Sequence, residues 1–149
     1  MTETTQTLVG LVGCASQKLH RPAPARDLYV SQLFRKASAY AEASCDRWYV
    51  LSALHGLVHP DTVLEPYDVR LGSSRPSSPG IWDWAAMVKK QLEQELADVP
   101  DPVLVALAGE QYRTVLRLCG WPYRVPMEGL GIGQQLGWLT RNLQEAQSA

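Results

Sequence analysis

The sequence predicts an α/β fold: a Rossmann-like three-layer sandwich, with a mainly parallel sheet of about four strands and helices on both faces. Three observations carry this. The runs TLVGLVG (Thr7–Gly13), RWYVLSA (Arg47–Ala53) and PVLVALA (Pro102–Ala108) are almost continuously apolar, as strands covered on both faces are. Segments of helical periodicity separate them. The residues capable of chemistry follow the runs, so one edge of the sheet collects them.

In chain order, Thr7–Gly13 runs into CASQK. Next, SQLFRKASAYAEA (Ser31–Ala43) spaces Leu33, Phe34, Ala37, Tyr40 and Ala41 on one helical face, with Ser31 as its cap. The second strand ends at Ser52 and enters ALHGLVHPDTVLEPYD, where Gly56 permits a turn and Pro60 and Pro66 stiffen the chain. GSSRPSSPG (Gly72–Gly80) reads as a surface loop between two halves. In IWDWAAMVKKQLEQEL (Ile81–Leu96), Ile81, Trp84, Ala85, Val88, Leu92 and Leu96 form an apolar stripe opposite Lys89, Lys90, Glu93 and Glu95. The third strand runs into GEQYRTVLRLCG, a shorter helix closed by Gly120. The fourth run, YRVPM (Tyr123–Met127), contains Pro126 and reads as an edge strand or a strand end. A last helix from about Gln134 to Glu145 packs through Leu136, Leu139 and Leu143.

At 149 residues the chain is read as one domain, with residues 1–6 and 145–149 as frayed ends. A net charge of -1 and a pI near 6.3 exclude a protein that coats nucleic acid by bulk electrostatics. A local basic cleft remains open, because His20, Arg21, Arg26, Arg35 and Lys36 follow closely on Lys18. The three cysteines, Cys14, Cys45 and Cys119, share no metal-ligand spacing and read as reduced thiols of a cytoplasmic protein. No run approaches a membrane span, so no membrane is expected. Oligomeric state is not readable; Trp82, Trp84, Trp121 and Trp138 suit a core or a dimer surface equally.

The candidate site is built from the strand ends. In CASQK, backbone N–H groups after the strand and the Lys18 ammonium suit a phosphate, with Ser16 and Cys14 beside it. Cys14 itself reads as packing before nucleophile. Ser52, His55, Glu65, Tyr67 and Asp68 follow the second strand and offer an acid, a base or a stacking surface. His55 and His59 stand four apart, but Gly56 and Pro60 argue against a helical metal pair, and no metal is expected. After the third strand, Gly109 lets a ligand approach the backbone and Glu110 falls in a first helical turn, where the helix dipole already explains an acid. Tyr112 and Arg113 either face a ligand or cover the sheet. MEGLGIG places Gly129, Gly131 and Gly133 before a helix; this lacks the position and trailing acid of a dinucleotide fingerprint, so no cofactor is expected.

Taken together, these segments resemble the YaaA family of bacterial peroxide-stress proteins, and more closely a related family of short actinobacterial and phage domains. CASQK shares its lysine, Lys18, with that family's Ser-Pro-Ala-Lys type motif. DLYVSQLF (Asp27–Phe34) is similar to a Leu-Tyr-x-x-Leu segment, and VLSALHGLVHPDTVLEPYDVRLG (Val50–Gly72) to its longest motif, which ends in Gln-Pro-Tyr. VALAGEQYRTV (Val105–Val115) resembles an Asn-Leu-Ala-Ser-x-Glu-Tyr segment. His55 replaces a tyrosine and Gly109 a serine, Cys14 has no equivalent, and the chain is too short for the family's helix-hairpin-helix-like insertion. The resemblance implies an α/β fold with a polar cleft, linked to DNA protection or base handling.

The leading expectation is therefore a site that processes a nucleotide or a nucleic-acid base, with N-glycosidic bond chemistry as the reaction. Glu110, Asp68 and Lys18 would be its catalytic residues, and Cys14, Ser16, Ser52, His55, Glu65, Tyr67, Gly109, Tyr112, Arg113 and Gly131 would bind substrate. Two other readings stand beside it: a non-catalytic nucleotide- or DNA-binding module of stress response or phage biology, and an interaction protein whose polar loops merely cap the sheet.

Overall fold

The computed structural model describes residues 6–72 and 80–148. Its strands are β1 (Thr7–Gly13), β2 (Ala23–Pro24), β3 (Arg47–Ser52), β4 (Gly56–Val58), β5 (Val63–Leu64), β6 (Pro102–Leu107) and β7 (Tyr123–Arg124). The helices are α1 (Ala25–Leu28), α2 (Gln32–Ser44), α3 (Ile81–Glu95), α4 (Thr114–Leu118) and α5 (Ile132–Ser148). Most of the expected Gly72–Gly80 loop, residues 73–79, lies outside the described residues.

Five strands form the main sheet in the order β4-β3-β1-β6-β7. β1 pairs in parallel with β3 and with β6, β7 continues in parallel on β6, and only β4 runs antiparallel. The alternation of side chains along a strand divides the core into two layers. Val9 and Leu11 of β1, with Tyr49 and Leu51 of β3, pack against Trp84, Val88 and Leu92 of α3 and Val115 and Leu116 of α4. Val12, Trp48 and Val50 face the other way, onto Phe34, Ala37 and Ala41 of α2 and Leu139 of α5. This is the three-layer, Rossmann-like arrangement. Gly10 permits it to close, since a Cβ there would stand 3.1 Å from Ala41 Cβ and 3.1 Å from Trp48 Cβ.

Ser31 caps α2 as expected, its hydroxyl accepting from Phe34 N at 3.1 Å. Other boundaries differ. β7 is only two residues long and ends before Val125 and Pro126. α4 starts at Thr114 rather than Gly109; residues 110–113 are turns, with Arg113 N donating to Gly109 O at 3.1 Å. Glu110 therefore precedes a five-residue helix instead of lying in its first turn, and the helix-dipole explanation for it weakens.

Elements shorter than the sequence pattern can register shape the long loop after β3. Gly56, at φ +76, turns the chain back so that β4 pairs with β3 from Ser52↔Gly56 to Val50↔Val58. Gln91 of α3 fastens this turn, accepting from Leu57 N at 2.8 Å and donating to His55 O at 3.2 Å. The β2–β5 ribbon, with Ala23↔Leu64 and Pro24↔Val63, then carries the chain back across the sheet edge. Residues Pro66 to Leu71 consequently return to the carboxyl end of β1, where Tyr67, Asp68 and Leu71 share cavity walls with the segment after that strand.

A Cβ at position 56 would meet both the positive φ and Gln91 Oε1. Gly56→Ala is therefore expected to destabilise the fold by about 1 kcal/mol or more, lowering the melting temperature by at least roughly 2–4 °C in calorimetry. An unchanged melting temperature would show that this turn is not strained.

Candidate functional site

The carboxyl ends of β1, β3 and β6 open on one edge. Chain order goes from β1 to β3 on one side, then to β6 on the other, so the direction of strand addition reverses between β1 and β6. Open α/β sheets bind ligands at that crevice. A cavity of about 250 Å³ occupies it, walled by Cys14 and Ala15 after β1, Ala108 and Gly109 after β6, and Ser31 and Phe34 of the α2 entrance. Its lining is mainly apolar.

On the β3 side the wall is a hydrogen-bonded chain. Ser52, fully buried at the end of β3, shares a 2.7 Å hydrogen bond with the Tyr67 hydroxyl, which shares another with Tyr29, itself fully buried. The Ser52 oxygen also accepts from His55 N at 3.1 Å, and the Ser52 carbonyl accepts from Trp84 Nε1 at 2.9 Å. Every polar group of this cluster thus has a partner, which burial in a low-dielectric interior demands. Burial dominates the ionisation of both tyrosines. It pushes the Tyr29 hydroxyl up to about 12 and that of Tyr67 further in the same direction, so both are neutral donors and acceptors at physiological pH.

Lys18 lies on this cluster. The segment after β1 is held beside α1, with Leu19 N donating to Leu28 O at 2.9 Å and Val30 N to Gln17 O at 3.0 Å. The Lys18 ammonium consequently sits 4.4 Å from the centre of the Tyr67 ring and 5.7 Å from that of Tyr29. Partial burial lowers its pKa, Cys14 and Asp68 oppose that shift, and Arg70 adds to it. Among the described residues it forms no ion pair. Tyr67, expected as a stacking platform, instead offers that face to Lys18 while the His55 ring meets it edge-on at 5.5 Å.

Two further cavities extend from the crevice toward Lys18. One, of about 310 Å³, shares Cys14, Ala15 and Tyr112 with the crevice and adds Lys18, Asp68 and Arg70. The next, open and about 760 Å³, shares Ser16, Lys18 and Asp68 with it and reaches Tyr67 and His20. Cys14 and Tyr112 form the partition, Sγ and hydroxyl 3.3 Å apart, with the Tyr112 ring edge-on to Trp84 at 5.4 Å. Burial, reinforced by Cys14, raises the Tyr112 hydroxyl as well. Cys45 and Cys119 lie elsewhere, and burial holds both thiols up, Cys45 to about 11.

Glu110 and Arg113 stand on the opposite side of the crevice. They line a cavity of about 130 Å³ that shares Gly109, Met127 and Gln135 with it, and a further one of about 150 Å³ with Arg117 and Glu128. Glu110 lines neither cavity that Lys18 lines. Arg113 Nε is sealed from solvent and donates to no acceptor among the described residues. The structure thus gathers Lys18, Ser16, Ser52, Tyr67, Asp68, Cys14 and Tyr112 around one stretch of the groove, and Gly109, Glu110 and Arg113 around another. Glu65 is exposed beyond β5 and outside these cavities, and His55 reaches the site through its contacts with Ser52 and Tyr67. Gly131 N donates to Gln134 Oε1 at 3.1 Å, so that N–H serves the α5 entrance. The expected basic cluster disperses: Arg26 pairs with Asp61 at 2.9 Å and Glu42 at 3.5 Å, and Lys36 donates to Thr140 at 2.8 Å.

Sequence reasoning missed Tyr29, Arg70 and Gln111 as wall residues. Each had a signal in its place inside a quoted motif: Tyr29 in DLYVSQLF, Arg70 in the Val50–Gly72 segment and Gln111 in VALAGEQYRTV. Among the described residues no three His, Cys, Asp or Glu side chains are placed to hold a metal ion, and no helix is long and apolar enough to cross a membrane.

The raised tyrosines set a pH dependence. In the unfolded chain Tyr29 ionises near 10.0, in the folded chain near 12, so the fold binds the extra proton between those values. Its stabilisation is complete below pH 10 and disappears as pH rises toward 12. Melting temperatures measured from pH 9 to 12 are expected to fall more steeply for the wild type than for Tyr29→Phe; parallel curves would contradict the assignment.

Comparison with known proteins places the chain in a family. Residues 9–141 match a family described as a family of unknown function, DUF6884. The chain is 31% identical over 132 residues to the uncharacterized protein YfjM of Bacillus subtilis, an alignment covering 83% of each. It is 36% identical over 69 residues to a UPF0246 protein of Cellvibrio japonicus, covering 44% of this chain and 27% of the relative. A UPF0246 protein of Caulobacter vibrioides is 31% identical over 88 residues, 57% of this chain and 33% of its own. Against these UPF0246 proteins, the YaaA family, the chain spans a third of their length or less. The chain belongs to the DUF6884 family and is a relative of the YaaA-like UPF0246 proteins.

Proposed function

We propose that the protein binds a nucleotide or a nucleic-acid base in the groove along the carboxyl edge of its sheet, and acts on the N-glycosidic bond there. The observation that carries this reading is Lys18: a partly buried ammonium with no ion-pair partner among the described residues, beside an apolar crevice. A cation in such surroundings favours an anionic ligand group, and phosphate suits a point charge of this kind. The crevice, of about 250 Å³ and mainly apolar, suits a flat ring.

The reaction class rests on the carboxylates. Asp68 lines the cavity on one side of the crevice and Glu110 the cavity on the other. As a C1′–N bond lengthens, the sugar gains oxocarbenium character, which a carboxylate stabilises while an acid assists the departing base. Water then adds at C1′ and gives its proton to a carboxylate. Free thiols and the lack of metal-ligand spacing fit a reducing cytoplasm, and the relationship to YaaA proteins fits a role in stress response.

A second reading has an observation of its own. Glu110 does not share a cavity with Lys18, so the groove also suits a module that binds nucleotides without turnover.

Thermal-shift titration with nucleotides and short single-stranded DNA tests both. Ligand at a hundred times its Kd should stabilise the wild type by about 2.7 kcal/mol, and Lys18→Ala should lose most of the shift. Release of free base, abolished by Glu110→Gln or Asp68→Asn with binding intact, supports the enzyme. Binding without product supports the module. No shift with any nucleotide would overturn both.

A further inference from the structure

The cavities along the carboxyl edge form one series. Cys14 and Tyr112 wall both the Lys18 cavity and the central crevice, and Gly109 and Gln135 wall both the crevice and the Arg113 cavity. The groove therefore has cations at each end, Lys18 and Arg70 beside Asp68 and Arg113 and Arg117 among Glu110 and Glu128, and an apolar middle. Lys18 follows β1 and Arg113 follows β6, neighbouring strands about 5 Å apart, but the two side chains line no common cavity, so each end takes its own phosphate. Arg113 adds an independent sign: its Nε–H is buried without an acceptor among the described residues, although Glu110 and Glu128 line the same two cavities. A buried donor left without an acceptor is costly, and a phosphate oxygen would satisfy it.

We infer that the groove takes a nucleotide embedded in a single strand, its base in the central crevice, one flanking phosphate at Lys18 and the other at Arg113. This rests on the nucleotide reading above and narrows it from a free mononucleotide to a strand. A duplex does not fit so simply, because the base must leave its stack to reach the crevice. The mixed charge of the Arg113 end, where Glu110 and Glu128 stand beside the two arginines, restricts that contact to one oriented phosphate rather than a polyanionic surface.

The test compares a dinucleotide with a trinucleotide whose outer sugars are abasic, so that any gain comes from the second phosphodiester and not from stacking. The trinucleotide is expected to bind the wild type at least tenfold more tightly, with a salt slope steeper by about 0.7. Replacing its second phosphodiester by a neutral methylphosphonate should remove the gain without altering the protein. Arg113→Ala should remove the same gain, Lys18→Ala should weaken both ligands, and Lys90→Ala, on the exposed face of α3, should change neither. Equal affinities for the two ligands, or a gain that survives both the methylphosphonate and Arg113→Ala, overturn the inference while the nucleotide reading stands. If neither ligand nor any mononucleotide binds, both fall.

Discussion

Strand β1 pairs in the same direction with a neighbour on each side, and the rest of the molecule depends on that pairing. Parallel strands need crossovers, so the chain must leave β1, β3 and β6 at one edge and return across a face of the sheet each time. The outgoing segments are then compelled to lie side by side. Gly13, Cys14 and Ala15 meet Ala108 and Gly109 across a crevice because their strands are hydrogen-bonded to one another, from Thr7↔Pro102 to Val12↔Leu107.

What lies on that edge is decided by the loop after β3. Gly56 reverses the chain, the β2–β5 ribbon anchors its far end, and Tyr67 comes back to the hydroxyl of Ser52. This contact links a strand end, a loop and the Tyr29 segment through one shared cluster of hydroxyls. Burying three hydroxyl-bearing side chains would cost several kcal/mol without partners. With them it produces a rigid, neutral floor beneath a cation. A site that must recognise an anion gains from that arrangement, since the Lys18 charge is neither quenched by an ion pair among the described residues nor free to wander.

The sequence reading succeeded where a physical signal was long and failed where it was short. β1 has the bounds its apolar run implied, and β3 and β6 differ from theirs by one residue, because six or seven consecutive apolar-rich positions leave little choice. The three-residue β4 and the two-residue β2 and β5 fall within segments that read as loop, and no periodicity exists over so few positions. At the site, Lys18, Ser52, Tyr67, Asp68 and Tyr112 were legible as polar residues following strands. Their grouping was not: whether Glu110 faces Lys18 depends on turns at residues 110–113 that read as the start of a helix. Tyr67 was legible as an aromatic but not in its role, because only the fold shows that Lys18 covers its face.

Backbone-amide NMR titration with a short single strand addresses the central claim most directly. Shifts are expected to be confined to the segments after β1, β3 and β6, centred on residues 13–18, 67–71 and 109–113. Shifts centred instead on the amino edge of the sheet, around Asp46 and Asp101, would contradict it.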